Sequence, residues 1–424
     1  MLIVNMVIKY YFLVIFSRKF AEIRVNCSVY GVFSVTIIIQ ERESLMKRKI
    51  RMGMIGGGPG AFIGGVHRMA AQLDGKIELV CGAFCRTPEG NKEMSETLFL
   101  PIERCYNSYD EMFEKESQLP EGERMDFVAI TTPNATHYPA AMAALEHGFH
   151  VVCEKPITMT FDEAVKLREK VEETGLLFAL THNYSAYPMI RQMKKMIADG
   201  KLGDLRKIVA CYDLGWLASP NAGKQAAWRT NPKQSGISAC VGDIGTHAEH
   251  LIEFTTGLEI SEISADLATF VEGRTLDDDA TILLRFNNGA KGVIEVSSVA
   301  CGEENQLSLR VYGSLGSLEW RQQEPENLIM RTNDSAIKVI RRGWAEMDDS
   351  VKSIVRLPAG HPEGFIEAFA NIYLEFANAV AARWEGREYS ADYPTVEAGV
   401  REMKFVESVV ASSAQNGAWL PVEV

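Results

Sequence analysis

The feature that most constrains the fold of this chain is a glycine-rich turn at residues 56–64. The apolar run ending in Met54 and Ile55 is typical of a buried strand, and the pattern from Gly64 onward has the periodicity of an amphipathic helix. Glycines at such a turn let a phosphate approach the backbone, and the helix N-terminus supplies N–H donors and positive charge. The turn therefore predicts a dinucleotide-phosphate site, with an ordinary glycine-rich loop as the alternative.

The spacing of the glycines in this turn is irregular. Gly56 and Gly58 fit the first two positions of the dinucleotide-binding pattern, but Gly64 comes about three residues later than the third glycine of that pattern. The candidate nucleotide-binding residues of the turn are Gly56, Gly58, Pro59, Gly60, Phe62 and Ile63.

The end of the second predicted strand, residues 77–84, bears on the choice of cofactor. An NAD site usually carries Asp or Glu there to accept hydrogen bonds from the ribose hydroxyls. This chain has Cys85 and Arg86 instead. We therefore expect NAD or NADP, and Arg86 favours the 2′-phosphate of NADP unless it is simply a surface arginine.

Polar residues follow the third and fourth predicted strands, residues 126–130 and 150–154. Strand–helix–strand units of this length form right-handed parallel crossovers, so both strand ends face the crevice of the glycine turn. His137 is a cofactor candidate, although capping of the helix or packing against its start is the simpler explanation. The other cofactor candidates at these strand ends are Thr132, Pro133, Asn134, Glu154 and Lys155.

The second half of the chain has a different pattern. Alternating strands joined by turns at 287–289 and 313–316 predict an α+β domain with a large, open, mostly antiparallel sheet. We expect another copy to cover its exposed face, in a homodimer or homotetramer. The predicted division is an N-terminal extension at 1–46, an α/β dinucleotide-binding Rossmann domain with a parallel sheet at 47–181, and a substrate-binding and oligomerisation domain at 182–424.

A helix predicted from Asp243 onward places Asp243 and His247 one turn apart on one face. The imidazole can take a hydroxyl proton, and the carboxylate can orient either the imidazole or a substrate. Two alternatives remain, a metal site that includes His250 and an N-cap by Asp243 beside a merely buried His247. The remaining candidates for a polyol pocket are Asn183, Tyr184, Tyr187, Trp228 and Arg229.

Composition narrows the classes of partner. The formal net charge of −12 over 424 residues argues against nucleic acid or an anionic membrane surface. Eight cysteines without a CxxC pair are typical of reduced core residues in a cytoplasmic protein. The apolar residues 1–16 are interrupted by Lys9, and we expect translation to begin at Met46, with the upstream residues disordered or loosely attached.

Taken together, these motifs resemble the glucose-fructose oxidoreductase / inositol dehydrogenase family (Gfo/Idh/MocA). The resemblance covers residues 47–424 and rests on the glycine turn, Thr132-Pro133-Asn134 with His137, Glu154-Lys155-Pro156, Asn183-Tyr184 and Asp243-Ile-Gly-Thr-His247. It implies NAD(P)-dependent oxidation of a secondary alcohol on a sugar or cyclitol. In that family's pattern Lys155 positions the hydroxyl and helps to deprotonate it, His247 is the general acid/base, and Asp243 holds the substrate or orients the pair. The extra residues in the turn and the missing acidic residue after the second strand depart from the family pattern.

Two other functions compete with this interpretation. The resemblance also admits a non-catalytic NAD(P)-binding regulator, but a regulator does not need Lys155 and His247 in register. A redox-neutral reaction on tightly bound NAD remains open, and only the release of reduced cofactor distinguishes it from a dehydrogenase.

Overall fold

The structure is a computed structural model that describes residues 46, 48–220, 223–390 and 392–424, together with the backbone of three earlier strands. These are β1 (Leu13–Ser17), β2 (Phe20–Val25) and β3 (Val35–Ile39), which pair antiparallel in the order β1-β2-β3. These three strands belong to one unit, and residues 50–424 form another compact unit. The rest of the segment 1–45 lies outside the described residues, and a translation start at Met46 stays a prediction.

Five parallel strands form the sheet of the first half. The strands are β4 (Ile50–Gly56), β5 (Ile77–Ala83), β6 (Phe127–Thr131), β7 (His150–Cys153) and β8 (Phe178–Leu180). The helices are α1 (Phe62–Leu73), α2 (Pro88–Leu98), α3 (Tyr109–Ser117), α4 (His137–Glu146) and α5 (Phe161–Thr174). The strand order is β5-β4-β6-β7-β8, and β6 and β7 are buried along their whole length because helices cover both faces.

The predicted Rossmann-type first half is therefore confirmed, with a difference at α1. This helix begins at Phe62, two residues before the predicted start at Gly64, so Gly64 lies inside the first turn. Helix α5 is capped at its N-terminus, since the Thr160 hydroxyl accepts a hydrogen bond from the Glu163 N–H at 3.3 Å. Gly175 ends α5 in the left-handed conformation.

Nine strands form the open sheet of the second half. They are β9 (Leu205–Asp213), β10 (Ile260–Ala268), β11 (Asp279–Phe286), β12 (Lys291–Ser297), β13 (Gln306–Gly313), β14 (Ser317–Arg321), β15 (Asn327–Arg331), β16 (Lys338–Arg341) and β17 (Leu420–Pro421). Their order is β16-β15-β14-β13-β9-β12-β11-β10-β17, and every pair is antiparallel except β9 with β12. The open, mostly antiparallel sheet and both predicted hairpin turns are confirmed.

Some helices of the second half pack on this sheet, and some reach back to the first half. They are α6 (Pro188–Ala198), α7 (Lys224–Arg229), α8 (Pro232–Ser235), α9 (Thr246–Thr256), α10 (Asp349–Lys352), α11 (Phe365–Trp384) and α12 (Val396–Ala414). Helix α11 packs on α1, and α12 packs on α5 and on β10. The sequence analysis did not predict that the C-terminal helices would pack against the helices of the five-stranded sheet. None of the helices in the described part of the chain has the length and apolarity needed to cross a lipid bilayer.

Candidate active site

The glycine turn forms one wall of a groove of about 580 Å³. The groove is also lined by the ends of β5 and β6, and it contains Pro59, Gly60, Arg86 and Pro133 among the predicted nucleotide ligands. A side chain at Gly56 would place its Cβ 2.8 Å from the Thr131 carbonyl oxygen, and one at Gly58 would lie 2.8 Å from the Phe84 carbonyl oxygen. Glycine is therefore required at both positions by close backbone approach, as expected of a phosphate-binding turn.

The irregular spacing of the turn has a structural explanation. A Cβ on Gly64 would lie 2.3 Å from the Cα of Gly57, so α1 and the turn are in direct backbone contact at this point. Close helix–strand packing is the role of the third glycine in dinucleotide-binding turns. Gly64 performs it from within the first turn of α1, so the later position does not widen the groove.

The end of β5 carries no carboxylate into this groove within the described residues. Its backbone is held by Asn91, whose side-chain oxygen accepts from the N–H groups of Phe84 and Cys85 at 3.1 Å each. Arg86 is exposed at the groove, as a 2′-phosphate ligand would have to be.

The residues after β6 differ in what they can offer a nucleotide. The buried Thr132 hydroxyl has no hydrogen-bond partner in the described part of the chain. Thr132 lines both the groove and a second cavity beside it. Asn134 donates to the Ser235 carbonyl oxygen at 3.0 Å and so holds α8. His137 is fully buried, with its ring nitrogens 2.7 and 2.9 Å from the carbonyl oxygens of Pro156 and Thr132. Our expectation that His137 contacts the cofactor is therefore wrong, because both nitrogens are engaged in bracing these two loops.

Glu154 lines a cleft beside the groove and is held there by residues that the sequence analysis did not identify. Its carboxylate accepts from the Thr181 hydroxyl at 2.6 Å and lies 2.7 Å from Nε2 of His67. Nδ1 of His67 in turn lies 2.7 Å from the hydroxyl of Tyr373 on α11. Burial by itself raises the pKa of Glu154, but His67 and the charge of Lys155 hold it below its ordinary value.

Lys155 and Asp243 come from the two halves of the chain and meet in one ion pair. The Lys155 ammonium donates to Oδ1 of Asp243 at 2.8 Å and to the Asp243 carbonyl oxygen, and Arg229 donates to Oδ2 at 3.1 Å. The side chains of Lys155 and Asp243 are only 12% and 18% exposed. Although burial raises the pKa of Asp243, the two cations hold it well below its ordinary value, so this carboxylate is ionised.

The helix that carries Asp243 begins earlier than predicted. A π-helical turn at Val241–Gly245 leads into α9, and the Asp243 N–H already donates to the Ala239 carbonyl oxygen. The N-cap alternative for Asp243 is therefore wrong. Turns of this kind are frequent at functional sites because they re-aim side chains, and here Asp243 is directed to Lys155 and Arg229 rather than to His247.

His247 is oriented by a second histidine instead of by Asp243. Its Nδ1 lies 3.3 Å from Nδ1 of His182, whose Nε2 lies 2.8 Å from Oε2 of Glu402 on α12. Burial, followed by the charge of Lys155, holds the pKa of His247 well below its ordinary value, so its resting form is the neutral imidazole. His182 directly precedes the Asn183-Tyr184 motif, and that position could have identified it as a site residue. No local sequence pattern identifies Glu402.

A second cleft of about 580 Å³ adjoins the groove and contains Lys155, Asp243 and His247. The two cavities share Phe62, Ile63, Thr132, Trp228 and Arg229. The predicted substrate residues Asn183, Tyr184, Trp228 and Arg229 all line the cleft, and the buried Nδ2 of Asn183 has no partner among the described residues.

Tyr187 departs from the sequence analysis, because it packs against Trp320 with 2% exposure and belongs to the core. The cleft instead contains Tyr212 and Asn305, which share a hydrogen-bond network with the Tyr184 hydroxyl.

The metal alternative does not match the geometry. His250 stacks on His182 with ring centroids 4.2 Å apart and an interplanar angle of 8°. Across residues 48–220, 223–390 and 392–424, no group of three or more His, Cys, Asp or Glu side chains is arranged to hold a metal ion.

Comparison with known proteins identifies the family. The model of the oxidoreductase family with an NAD-binding Rossmann fold matches residues 50–182, and that of the GFO/IDH/MocA C-terminal domain matches residues 190–319. The chain is 34% identical over 387 residues to the "uncharacterized oxidoreductase YfiI" of Bacillus subtilis (strain 168), covering 89% of this chain and 98% of that one.

Two further relatives have more informative names. The crystal structure of an inositol dehydrogenase homologue from Azotobacter vinelandii, complexed with NADH and myo-inositol, is 35% identical with a TM-score of 0.83, and the match covers 89% of this chain and 98% of that one. Levoglucosan dehydrogenase of Pseudarthrobacter phenanthrenivorans is 27% identical over 328 residues, covering 70% of this chain and 79% of its own.

The glycine contacts and the unpaired Thr132 hydroxyl fit a bound dinucleotide. The chain belongs to the GFO/IDH/MocA family of NAD-binding oxidoreductases.

Proposed function

We propose that this protein is an NAD(P)-dependent dehydrogenase that oxidises a secondary alcohol of a sugar, a sugar derivative or a cyclitol. The observation that carries the proposal is the meeting of Lys155, Asp243 and His247 in a cleft continuous with the dinucleotide groove. A carbinol lying there contacts an ammonium and a neutral imidazole at once, beside the groove that receives the cofactor. Hydride transfer needs this combination of close positioning and a proton acceptor.

Each of the three residues has a distinct role in this proposal. An ammonium has three N–H donors, and Asp243 accepts two of them from Lys155, so the third is available to the substrate hydroxyl. Asp243 fixes the direction of that donor. His247 accepts the hydroxyl proton at Nε2, because its Nδ1 faces His182. The bound nicotinamide supplies the acceptor for the hydride.

The lining of the cleft supports an uncharged polyol as substrate. Asn183, Asn305 and Gln322 provide hydrogen-bonding groups, and Trp216 and Trp228 provide faces for the C–H edges of a sugar ring. The charges of Lys155 and Arg229 are partly met by Asp243, so the cleft does not demand an acidic substrate. The myo-inositol complex and the levoglucosan dehydrogenase among the relatives support the same class.

The test is a screen of inositols, hexoses, anhydrosugars and linear polyols with NAD and with NADP, following the absorbance of the reduced nicotinamide. We expect stoichiometric accumulation of reduced cofactor with at least one polyol. Conversion of a substrate without net reduced cofactor would replace this proposal by the redox-neutral alternative. Cofactor binding without turnover of any member of the panel would favour the regulator.

We also propose that the enzyme acts in the cytoplasm.

Two copies associate, in our proposal, through the outer face of the nine-stranded sheet. One end of that face carries carboxylates from Asp213, Asp279 and Glu295 around a hollow of about 810 Å³. The other end carries Arg310, Arg321 and Arg331 around the carboxylate of Glu319. A two-fold axis parallel to the central strands would bring the acidic end of one copy to the basic end of the other.

A further inference from the structure

A chain of hydrogen bonds leads from the cleft into the protein behind His247. Nδ1 of His247 lies 3.3 Å from Nδ1 of His182, and Nε2 of His182 lies 2.8 Å from Oε2 of Glu402. The other carboxyl oxygen, Oε1, accepts from the Ile157 N–H at 2.6 Å. Three groups that can each gain or lose a proton therefore stand in series, and only His247 lines the cleft.

The inner part of this chain is closed to solvent. The side chains of His182 and Glu402 are 1% and 0% exposed. His250 stacks flat against His182, so the His182 ring is held in its plane. Among the residues that the structure describes, a proton that enters through His247 can therefore leave only along this chain of hydrogen bonds or back into the cleft.

The environment disfavours a charged imidazole and favours a neutral carboxyl group. Burial, followed by the charge of Lys155, lowers the pKa of His182 to about 3. Burial raises the pKa of Glu402 to about 8, although the Ile157 N–H and the charge of Lys155 oppose that rise. Glu402 is thus the member of the series that can change its protonation near neutral pH. The ionisable groups that face it are Lys155, His137, His182, Glu154, Glu249 and Cys153.

We propose that His182 and Glu402 form a proton relay behind His247, in which the Glu402 carboxylate is the final acceptor of the substrate hydroxyl proton. This inference rests on the proposed dehydrogenase function. Neither His182 nor Glu402 touches the substrate. Both are positioning residues that act through His247.

The relay step conserves protons and charge. Before the reaction Glu402 is ionised, His182 carries its proton on Nε2, and His247 carries its proton on Nδ1. The C–H bond of the carbinol breaks as hydride moves to NAD(P)⁺, and the O–H proton moves to Nε2 of His247. The Nδ1 proton of His247 moves to Nδ1 of His182, and the Nε2 proton of His182 moves to Glu402. The substrate is now a carbonyl compound, both imidazoles are neutral in the opposite tautomer, and Glu402 is protonated.

The relay explains how a base whose pKa is well below neutral can still accept a proton. A lone His247 would have to become an imidazolium next to the Lys155 ammonium, which its burial and that charge oppose. With the relay no imidazolium persists, because the positive charge is passed on to a carboxylate. Protonation of Glu402 must then decide whether Nε2 of His247 is an acceptor or a donor.

The kinetic test is Glu402→Gln with a matched control. The glutamine oxygen can accept from the Ile157 N–H, and its NH₂ group then faces His182, so the variant copies the protonated state of Glu402. In the wild type, kcat for alcohol oxidation should rise with pH and level off above an ionisation near the pKa of Glu402. In Glu402→Gln, we expect kcat to fall about 10²–10³-fold with little change in KM, and that ionisation to disappear.

The control is Glu116→Gln, which alters another fully buried carboxylate, one that is paired with Arg104 in the first half. It should lower stability while keeping the wild-type pH profile. Glu402→Gln should fold, because glutamine is neutral at every pH and the variant therefore never buries a charge at this position. A Glu402→Gln enzyme with a wild-type pH profile and kcat would overturn the relay.

A second test does not depend on activity. Long-range ¹H–¹⁵N spectra of the wild-type protein labelled at histidine nitrogens report the tautomers of His182 and His247 without any substrate. Both tautomers should switch together as the pH crosses the ionisation of Glu402, and neither should switch in Glu402→Gln. Tautomers that stay fixed in the wild type would refute the relay. Coupled switching in a protein that oxidises no polyol would leave the relay standing and refute only the proposed dehydrogenase function.

Discussion

Replacing Lys155 by methionine removes the ammonium from the cleft and keeps a chain of similar length. We expect the Lys155→Met enzyme to bind NAD normally, because the glycine turn and Thr132 are unchanged, and to lose most of its kcat. The lost contact is a fixed donor aimed at an oxygen that gains negative charge as the proton leaves. Loss of one such donor costs about 2.7–4 kcal/mol, or about 10²–10³ in kcat.

An independent estimate gives a similar size. At 4 Å and an effective dielectric constant of 20, two unit charges interact by about 4 kcal/mol. If roughly half a unit of charge develops on the substrate oxygen in the transition state, about 2 kcal/mol is lost, which corresponds to about 30-fold. The two estimates together predict a fall in kcat between about 30-fold and 10³-fold.

The same substitution has a pH-dependent effect on stability. Lys155 helps to hold the pKa of Asp243 below its ordinary value, so its contribution is present above about pH 4 and is lost as the pH falls through the lowered pKa. Losing one partner of a buried pair costs about 3–5 kcal/mol, and we expect about 1–3 kcal/mol because Arg229 still pairs with Asp243. The stability gap to wild type should therefore be largest at neutral pH and shrink in acid.

The assays are steady-state kinetics, cofactor titration and urea unfolding at several pH values. The matched control is Lys115→Met, which removes an exposed lysine that is 2.7 Å from Glu111 and 57% exposed. It should cost at most about 0.5 kcal/mol and leave kcat unchanged. Wild-type kcat in Lys155→Met, or a stability gap that does not vary with pH, would refute the reasoning.

Three further predictions address the groove and the outer face of the sheet. Gly64→Ala should weaken NAD binding at least about tenfold by calorimetry, since its Cβ would lie 2.3 Å from the Cα of Gly57, whereas Gly65→Ala, with nothing nearer than 3.9 Å, should bind normally. Arg86→Ser should lower kcat/KM for NADP about 10–100-fold and leave that for NAD unchanged, and equal effects on both cofactors would contradict a 2′-phosphate contact. Leu283→Arg, at a side chain 47% exposed, should reduce the sedimentation mass to that of one chain without altering the far-ultraviolet spectrum.

The sequence predicted the features that local patterns encode. Alternation and turn residues predicted the open sheet of the second half with its turns at 287–289 and 313–316, and the glycines at 56–64 predicted the cofactor turn. The strands β14–β16 follow each other within 25 residues of chain. The side chains of β15 are mostly half-buried and those of β16 mostly exposed, so their periodicity is weak. The π-helical turn before α9 was not predicted, because no residue type in Val241–Gly245 distinguishes a π-helical turn from an ordinary helix start.

The parts of the site that the sequence missed depend on long-range packing. The hydrogen bonds concerned join His67 to Glu154, His182 to Glu402, and Glu402 to Ile157. The partners are 87 to 245 residues apart in the sequence. A buried glutamate in an amphipathic helix looks like any other polar position until the partner helix is known. Local patterns marked Lys155 and His247, and the resemblance to the family gave them roles, but neither indicated which residues lie behind them.

The loop at 154–157 is where the two halves of the chain are coupled. Glu154 is held by His67 of α1 and by Thr181, Lys155 is held by Asp243, and the Ile157 N–H is held by Glu402. Each contact comes from a different element, so the position of the Lys155 ammonium depends on the first helix, the π-helical turn and the last helix together. Glu402 accepts from this loop with one oxygen and faces His182 with the other, so one carboxyl group connects the residue that positions the hydroxyl to the residue that takes its proton. Substitutions at Glu154, Asp243 and Glu402 should therefore have strongly non-additive effects on kcat, because each moves the same loop.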